Sequence, residues 1–333
     1  MRRSPAILLL TLISLSAAAA DCPAPSTGPA DIRIAGYYSD EAKSVRDEAK
    51  FKETREASKP FEDFATQLAK QSDRYLDKGD NNAATCAIAW LERWAQDGAM
   101  LGNMVRVNND QSEYVRKWTN ATAAIAWNKV RDKASAEQRS RIDGWLKAVS
   151  RATLAYWTDN PKKTRNNHYY WTGVGVMATA VATNDAELLA EARQIYEAGL
   201  SDIRDDGTLP HEMTRGIRAL HYHNFSAMPL AMMAEMARKT RQDWFVLREA
   251  RLDKLMTRVA AGLRDPAWFD KEAGAAPQVV PPKRDLGWIL ACRAHAPQGE
   301  RFDGLFSSDD NSYVRDLGGS VSLIIARGVF DPR

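Results

Sequence analysis

Apolar residues recur at three-, four- and seven-residue spacings along most of the chain, the interval that lines side chains up on one face of an α-helix. Phe61, Phe64, Leu68 and Tyr75 set the first stripe, after Pro60, a residue suited to a helix's first turn. Ile88, Leu91 and Trp94 continue the pattern, and Tyr114, Trp118, Ala121 and Ile125 mark a third segment. Ser135 with Gln138 makes a capping-box pattern ahead of Ile142, Trp145, Leu146, Val149 and Tyr156. Asn184 with Glu187 reads as another N-terminus, before Leu188, Ala192, Ile195 and Tyr196, and further helices are expected over 217–239 and 243–263. Extended structure is expected only over 32–38. Helices of this length joined by short turns pair into antiparallel hairpins, and many hairpins together form a bundle, a solenoid or a ring. Two stretches break the period: 36–59 is charged, and 265–284 holds Pro266, Pro277, Pro281 and Pro282. The first is read as a mobile flap and the second as a long connection.

The first residues carry an address. Arg2 and Arg3 precede an apolar run too short to span a bilayer, and Ala17 to Ala20 give a small-residue exit. Residues 1–20 are therefore expected to be a secretory signal peptide, leaving a periplasmic domain over 21–333 with no membrane attachment. Without Arg2 and Arg3 the balance is 44 basic against 43 acidic residues. No global field attracts polyanions, so an anionic partner must be held by local charge. The three cysteines are Cys22, Cys86 and Cys292. In an oxidising compartment the first two are placed to tether the mature N-terminus, with Cys292 a buried free thiol.

Two clusters carry candidate chemistry. Residues 165–171 read Arg-Asn-Asn-His-Tyr-Tyr-Trp, and 215–224 read Arg-Gly-Ile-Arg-Ala-Leu-His-Tyr-His-Asn. Asn166 or Asn167 suits an N-cap, where exposed N–H groups attract anions. His168 falls in that first turn, where the helix dipole favours neutral imidazole. If 215–224 is helical, Arg215, Arg218 and Tyr222 share a face, and the guanidinium groups would lower the tyrosine's pKa. A metal is not expected: His221 and His223 diverge on a helix, and His211-Glu212 lacks the second histidine of a zinc-binding helix. Nor is there a phosphate-cradling glycine loop, a nucleophile elbow or a basic tract for nucleic acid.

Asn-Asn-His-Tyr-Tyr-Trp at 166–171 with Val-Met-Ala-Thr-Ala-Val-Ala-Thr-Asn at 176–184 resembles the signature of the polysaccharide lyase family 5 alginate lyases. So do Arg-Ala-Leu-His-Tyr-His-Asn at 218–224, Pro229-Leu230-Ala231-Met232, and the spacings His168 to Arg215 and Arg215 to Tyr222. Weaker echoes lie at 86–94 and 315–319. The resemblance implies an all-α incomplete α/α toroid with a deep cleft, acting without cofactor, as an expected monomer, on an anionic polysaccharide. It assigns Asn167, His168 and Arg215 to neutralising a uronate carboxylate and Tyr222 to moving the C5 proton. Trp171, Arg218, His221, Tyr37 and Arg315 are the expected sugar contacts.

The chain departs from the family pattern at Tyr169, His211, Gly216, Ile217 and His221. Three of these are expected to flank the cleft, which points to broadened polyuronate specificity. A protonatable His221 would make substrate preference pH-dependent. Two other classes stay open. A glycoside hydrolase on a similar ring would need two carboxylates, for which Glu212 and Asp159 are candidates. The other is a polysaccharide-binding protein that has lost activity.

Overall fold

Each long apolar stripe becomes a helix, and the helices pair in sequence order. The computed structural model describes residues 22–332 except 42, 108, 298, 308 and 309, so the leader expected at 1–20 lies outside the described residues. Four hairpins form the body: α1 (Glu48–Lys78) with α2 (Asn81–Gln96), α3 (Gln111–Val130) with α4 (Ala136–Thr158), α5 (Asn167–Thr183) with α6 (Ala186–Asp202), and α8 (Ala219–Ala237) with α9 (Leu247–Arg264). The short α7 (Pro210–Met213) precedes α8, and α10 (Ala267–Glu272), α11 (Ile289–His295) and α12 (Val321–Ala326) follow α9. The first member of each hairpin packs on the first member of the next, making an inner row α1, α3, α5, α8. Short α11 and α12 bridge from α8 back to α1, which gives an incomplete α/α toroid.

The inner helices α3, α5 and α8 are buried almost all round, so their sequences carry apolar or small residues on every face. Gly173 and Gly175 on α5 allow this crowding: a Cβ on either would collide with Met233 or Asn120 of the neighbouring inner helices. All four inner helices run the same way. Residues from their N-terminal portions line one mouth of the ring, and residues from their C-terminal ends line a cavity at the other.

Several sequence expectations shift. Helix α1 begins at Glu48 and carries Pro60 in its interior, so 48–59 is helix and only 36–47 is irregular. The apolar period hid this start because the inward stripe opens with Thr54 and Ser58 before reaching Phe61. Asn184 ends α5 in the left-handed conformation, while Asp185 caps α6 by accepting from the Leu188 amide. Residues 215–218 form a turn and a short 3-10 segment, so Arg215 and Arg218 precede α8 instead of sharing a helical face with Tyr222. The connection at 265–284 contains α10. The capping box at Ser135 forms with both of its hydrogen bonds. Strand β1 (Ile32–Ala35) pairs in parallel with β2 (Met104–Val107), which the period did not reveal, and β3 (Tyr313–Val314) pairs with β4 (Gly319–Ser320). A Cys22–Cys86 disulfide fastens the N-terminal segment to α2, and Cys292 is buried and free. Among the described residues, no helix is long and apolar enough to cross a membrane.

Closure of the ring rests on a buried ion pair. Lys129 of α3 donates to Asp73 of α1 at 2.5 Å and to the Gly318 carbonyl at 2.7 Å, and Asp73 also accepts from the Ser320 amide. Removing one partner of such a pair strands the other charge away from water. Lys129→Met is expected to lower the unfolding free energy by roughly 3 kcal/mol, measured by denaturant titration.

Candidate active site

The N-terminal turns of α3, α5 and α8 converge at one mouth, and segment 36–47 crosses in front of them. Between them lies a cavity of about 350 Å³, with Tyr37, Tyr38, Lys43, Tyr114, Trp118, His168, Arg215, His221, Tyr222 and Phe225 in its wall. A second cavity of about 170 Å³, lined by the N-terminal half of α1 and by Arg315, shares Tyr37, Gln111, Trp118 and Asp316 with the first. Together they make a continuous cleft.

Local structure fixes each group. Asn166 caps α5, its Oδ1 accepting from the His168 amide at 3.0 Å. The imidazole of His168 stacks on Tyr114, ring centroids 3.7 Å apart, and its Nδ1 lies 2.8 Å from Lys117 Nζ. Glu212, 1% exposed, ties the two sequence clusters together. Its Oε1 accepts from the Asn167 backbone and side-chain amides at 3.2 and 2.9 Å, and its Oε2 meets Arg215 Nε at 3.4 Å. The Arg215 guanidinium then sits over the Tyr222 ring, 4.8 Å from its centroid. The hydroxyls of Tyr222 and Tyr38 are hydrogen-bonded at 3.0 Å.

The electrostatics follow from this crowding. Burial pushes His168 well below its ordinary pKa, and the Lys117, Arg215, Lys163 and Lys43 cations push the same way. Its neutrality therefore comes from desolvation and neighbouring cations, where the sequence argument had named the helix dipole. Tyr222 moves opposite to the sequence expectation: burial and then Tyr38 raise its pKa well above 10, and Arg215 only partly offsets them. His221 is held down at about 4 by burial and by Arg218, so the expected protonatable charge near neutral pH is absent. The cavity thus gathers cations around a neutral imidazole. Among the described residues, its wall carries one carboxylate, Asp316, which Arg315 holds at 2.9 Å.

Of the expected site residues, His168, Arg215, Tyr222, His221 and Tyr37 line the main cavity, and Arg315 lines the adjoining one. Asn167 does not: it is 0% exposed, with its amide spent on Glu212 and its Oδ1 without a partner. Trp171 is also fully buried, donating Nε1–H to the Phe225 carbonyl at 3.0 Å, so it is core and not a sugar contact. Both point inward because α5 is an inner helix, surrounded on every side. Arg218 stands outside the main lining and donates Nε–H to the Ser44 carbonyl at 3.1 Å. Among the departures expected at the cleft, Tyr169 packs on Trp157 and His211 sits on a surface pocket with Asp202, which leaves His221. His223 is structural, accepting from the Leu209 amide and bonded to the Ala219 carbonyl. Glu212, a hydrolase candidate, is consumed in the bridge just described.

Sequence reasoning missed Tyr38, Lys43, Tyr114 as a wall residue, Lys117 and Phe225. For Lys117 no sequence signal pointed to the site: it is a lone lysine between Tyr114 and Trp118 that is buried once α3 packs.

The alginate lyase family matches residues 31–269. A polysaccharide lyase of Stenotrophomonas maltophilia strain K279a is 48% identical over 322 residues, 97% of this chain and 96% of that protein. An alginate lyase of Pseudomonas putida KT2440 is 32% identical, over 93% of this chain and 84% of that one. Among solved structures, alginate lyase A1-III complexed with tetrasaccharide superposes with a TM-score of 0.76 at 25% identity, covering 97% of this chain and 89% of that chain. A polysaccharide lyase in activity and an α/α toroid in architecture, the chain belongs to the alginate lyase family.

Proposed function

We propose that this enzyme cleaves 4-linked polyuronates, polymannuronate above all, by β-elimination in the periplasm. On this reading residues 1–20 are an export leader, and 21–333 act as one monomeric lyase domain without cofactor. The observation that carries it is the convergence of Tyr222, His168 and Arg215 on one cation-rich cavity.

Elimination removes the proton at C5, beside a carboxylate, and that proton is scarcely acidic while the carboxylate keeps its charge. Arg215 and His168 hydrogen-bond the carboxylate, and Lys43 and Lys117 add positive potential. These interactions strengthen as the enolate-like state forms, which makes them catalytic rather than merely binding. Tyr222 takes the C5 proton as phenolate, a form that burial and Tyr38 oppose at rest and that the Arg215 guanidinium favours once Tyr38 has left its hydroxyl. The electron pair forms the C4–C5 double bond, the C4–O4 bond breaks, and the proton passes from Tyr222 to O4. In mannuronate both atoms lie on one face of the ring, so one phenol serves both steps. Where they lie on opposite faces, His168 takes the base role. Asn167 acts from behind the wall as a positioning residue, holding Glu212 against Arg215. Trp118, Tyr37 and Arg315 extend contacts along the polymer. Segment 36–47, with Tyr38 bonded to Tyr222, must move aside for a chain to enter.

The aromatic wall of Tyr114, Trp118, His221 and Phe225 supports tolerance for other polyuronates such as polyglucuronate. It offers ring faces and few directional hydroxyl contacts.

Two outcomes test this. Wild type is expected to release products with the ultraviolet absorbance of an unsaturated uronate, and Tyr222→Phe to lose about 10³-fold in kcat. Products with reducing ends but no such absorbance would indicate a hydrolase. Because His221 stays neutral above about pH 5, the ranking of polymannuronate over polyglucuronate is expected to hold between about pH 6 and 9. Initial rates on both polymers across that range measure it.

A further inference from the structure

A neutral imidazole has one N–H, and it faces the substrate only if it sits on the nitrogen that points into the cavity. Which nitrogen bears it is set by what the other one meets. Carboxylate neutralisation by His168 therefore needs something to hold Nδ1 as an acceptor. In most buried histidines a carbonyl or carboxylate meets Nδ1 and draws the proton onto it. Here the partner is a lysine, a cation once protonated.

Lys117 Nζ stands 2.8 Å from His168 Nδ1. Lys117 is 2% exposed. Its Nζ lies 4.0 Å from the Tyr114 ring centroid, and the same ring stacks on the imidazole, so one aromatic clamps both groups. No carboxylate is ion-paired with Lys117 among the described residues. The nearby Glu113 is taken by Arg116, and Asp110 by Lys163 and Arg106. Lys163, Lys43 and Arg215 add positive charge on the same side. With Nδ1 against Lys117, Nε2 is the nitrogen His168 has left to offer the cavity it lines.

Resting on the lyase reading above, the geometry points to Lys117 as the residue that sets the tautomer of His168. With a uronate carboxylate in the cavity, the Lys117 ammonium donates to Nδ1, and Nε2–H is presented to the carboxylate. Burial pushes both groups toward their neutral forms when the cavity holds no anion. An arriving carboxylate favours the charged form of a nearby amine, so the proton Lys117 needs comes from solvent as substrate binds. The charge stays on lysine, because an amine is ordinarily about four pKa units more basic than an imidazole. Lys117 is a positioning residue: it touches the imidazole, and the imidazole touches the substrate.

The test reads the tautomer directly. In ¹⁵N-histidine-labelled Tyr222→Phe protein kept saturated with excess mannuronate tetramer, which this variant turns over about 10³-fold more slowly, the His168 signals are identified by their loss in His168→Gln. Nε2 is expected protonated and Nδ1 bare, with the proton moving to Nδ1 when Lys117→Met is added. In the otherwise wild-type enzyme, Lys117→Met is expected to lower kcat about 100-fold with a smaller change in KM. Lys117→Gln keeps an uncharged N–H donor and is expected to recover at least about tenfold of that loss. Thermal melts close to wild type establish that the variants fold. A His168 protonated at Nδ1 in the wild-type-Lys117 complex, or a folded Lys117→Met with kcat within about twofold of wild type, would overturn the role of Lys117. A wild-type enzyme that forms no unsaturated product overturns the lyase reading itself. The two failures are therefore distinct.

Discussion

Everything in this enzyme's active site is organised around holding positive charge in a place where water is scarce. Arg215 and Lys43 line one cavity whose walls are aromatic rings and buried helix starts, and Lys117 stands against the His168 imidazole. Concentrated cations repel one another, and the site tolerates them in two ways. Imidazole stays neutral, so His168 adds a hydrogen-bonding group and no further charge. The buried carboxylate of Glu212 is spent on orienting Arg215 and the Asn167 amides and is not part of the cavity lining. The cavity is left with unsatisfied positive potential, and an anionic sugar ring supplies what is missing.

The toroid makes this arrangement possible. Because the inner helices α1, α3, α5 and α8 run in parallel, their N-terminal ends gather at one mouth, where helix dipoles add positive potential to that of the side chains. Side chains there stand on rigid, fully packed helices, so the spacing of His168, Tyr222 and Tyr114 is set by the inner packing and not by loops. The Lys129–Asp73 pair at the opposite end closes the ring behind them. Across that mouth, Tyr38 occupies the hydroxyl of Tyr222.

Much of this was legible in the chain. The helical period located the hairpins, and the two clusters with their spacing named His168, Arg215 and Tyr222, because those types at that interval serve one chemistry. What stayed hidden had physical causes. Thr54 and Ser58 occupy inward positions of α1 without being apolar, so the helix start escaped notice. Asn167 and Trp171 look like ligand contacts in sequence, but an inner helix has no outer face, and both turn into the core. The rise in the Tyr222 pKa comes from burial and then from Tyr38, which is 184 residues away in sequence. Lys117 meets His168 only after α3 and α5 pack, and no local motif encodes that encounter.

The central claim is that these cations act by cancelling the uronate carboxylate's charge. Methyl-esterified polymannuronate removes that charge chemically, so comparing kcat/KM of wild type and Arg215→Gln on the free acid and on the ester tests the claim most directly. The substitution is expected to cost about 100-fold or more on the acid and less than about tenfold on the ester. An equal loss on both substrates would contradict the account.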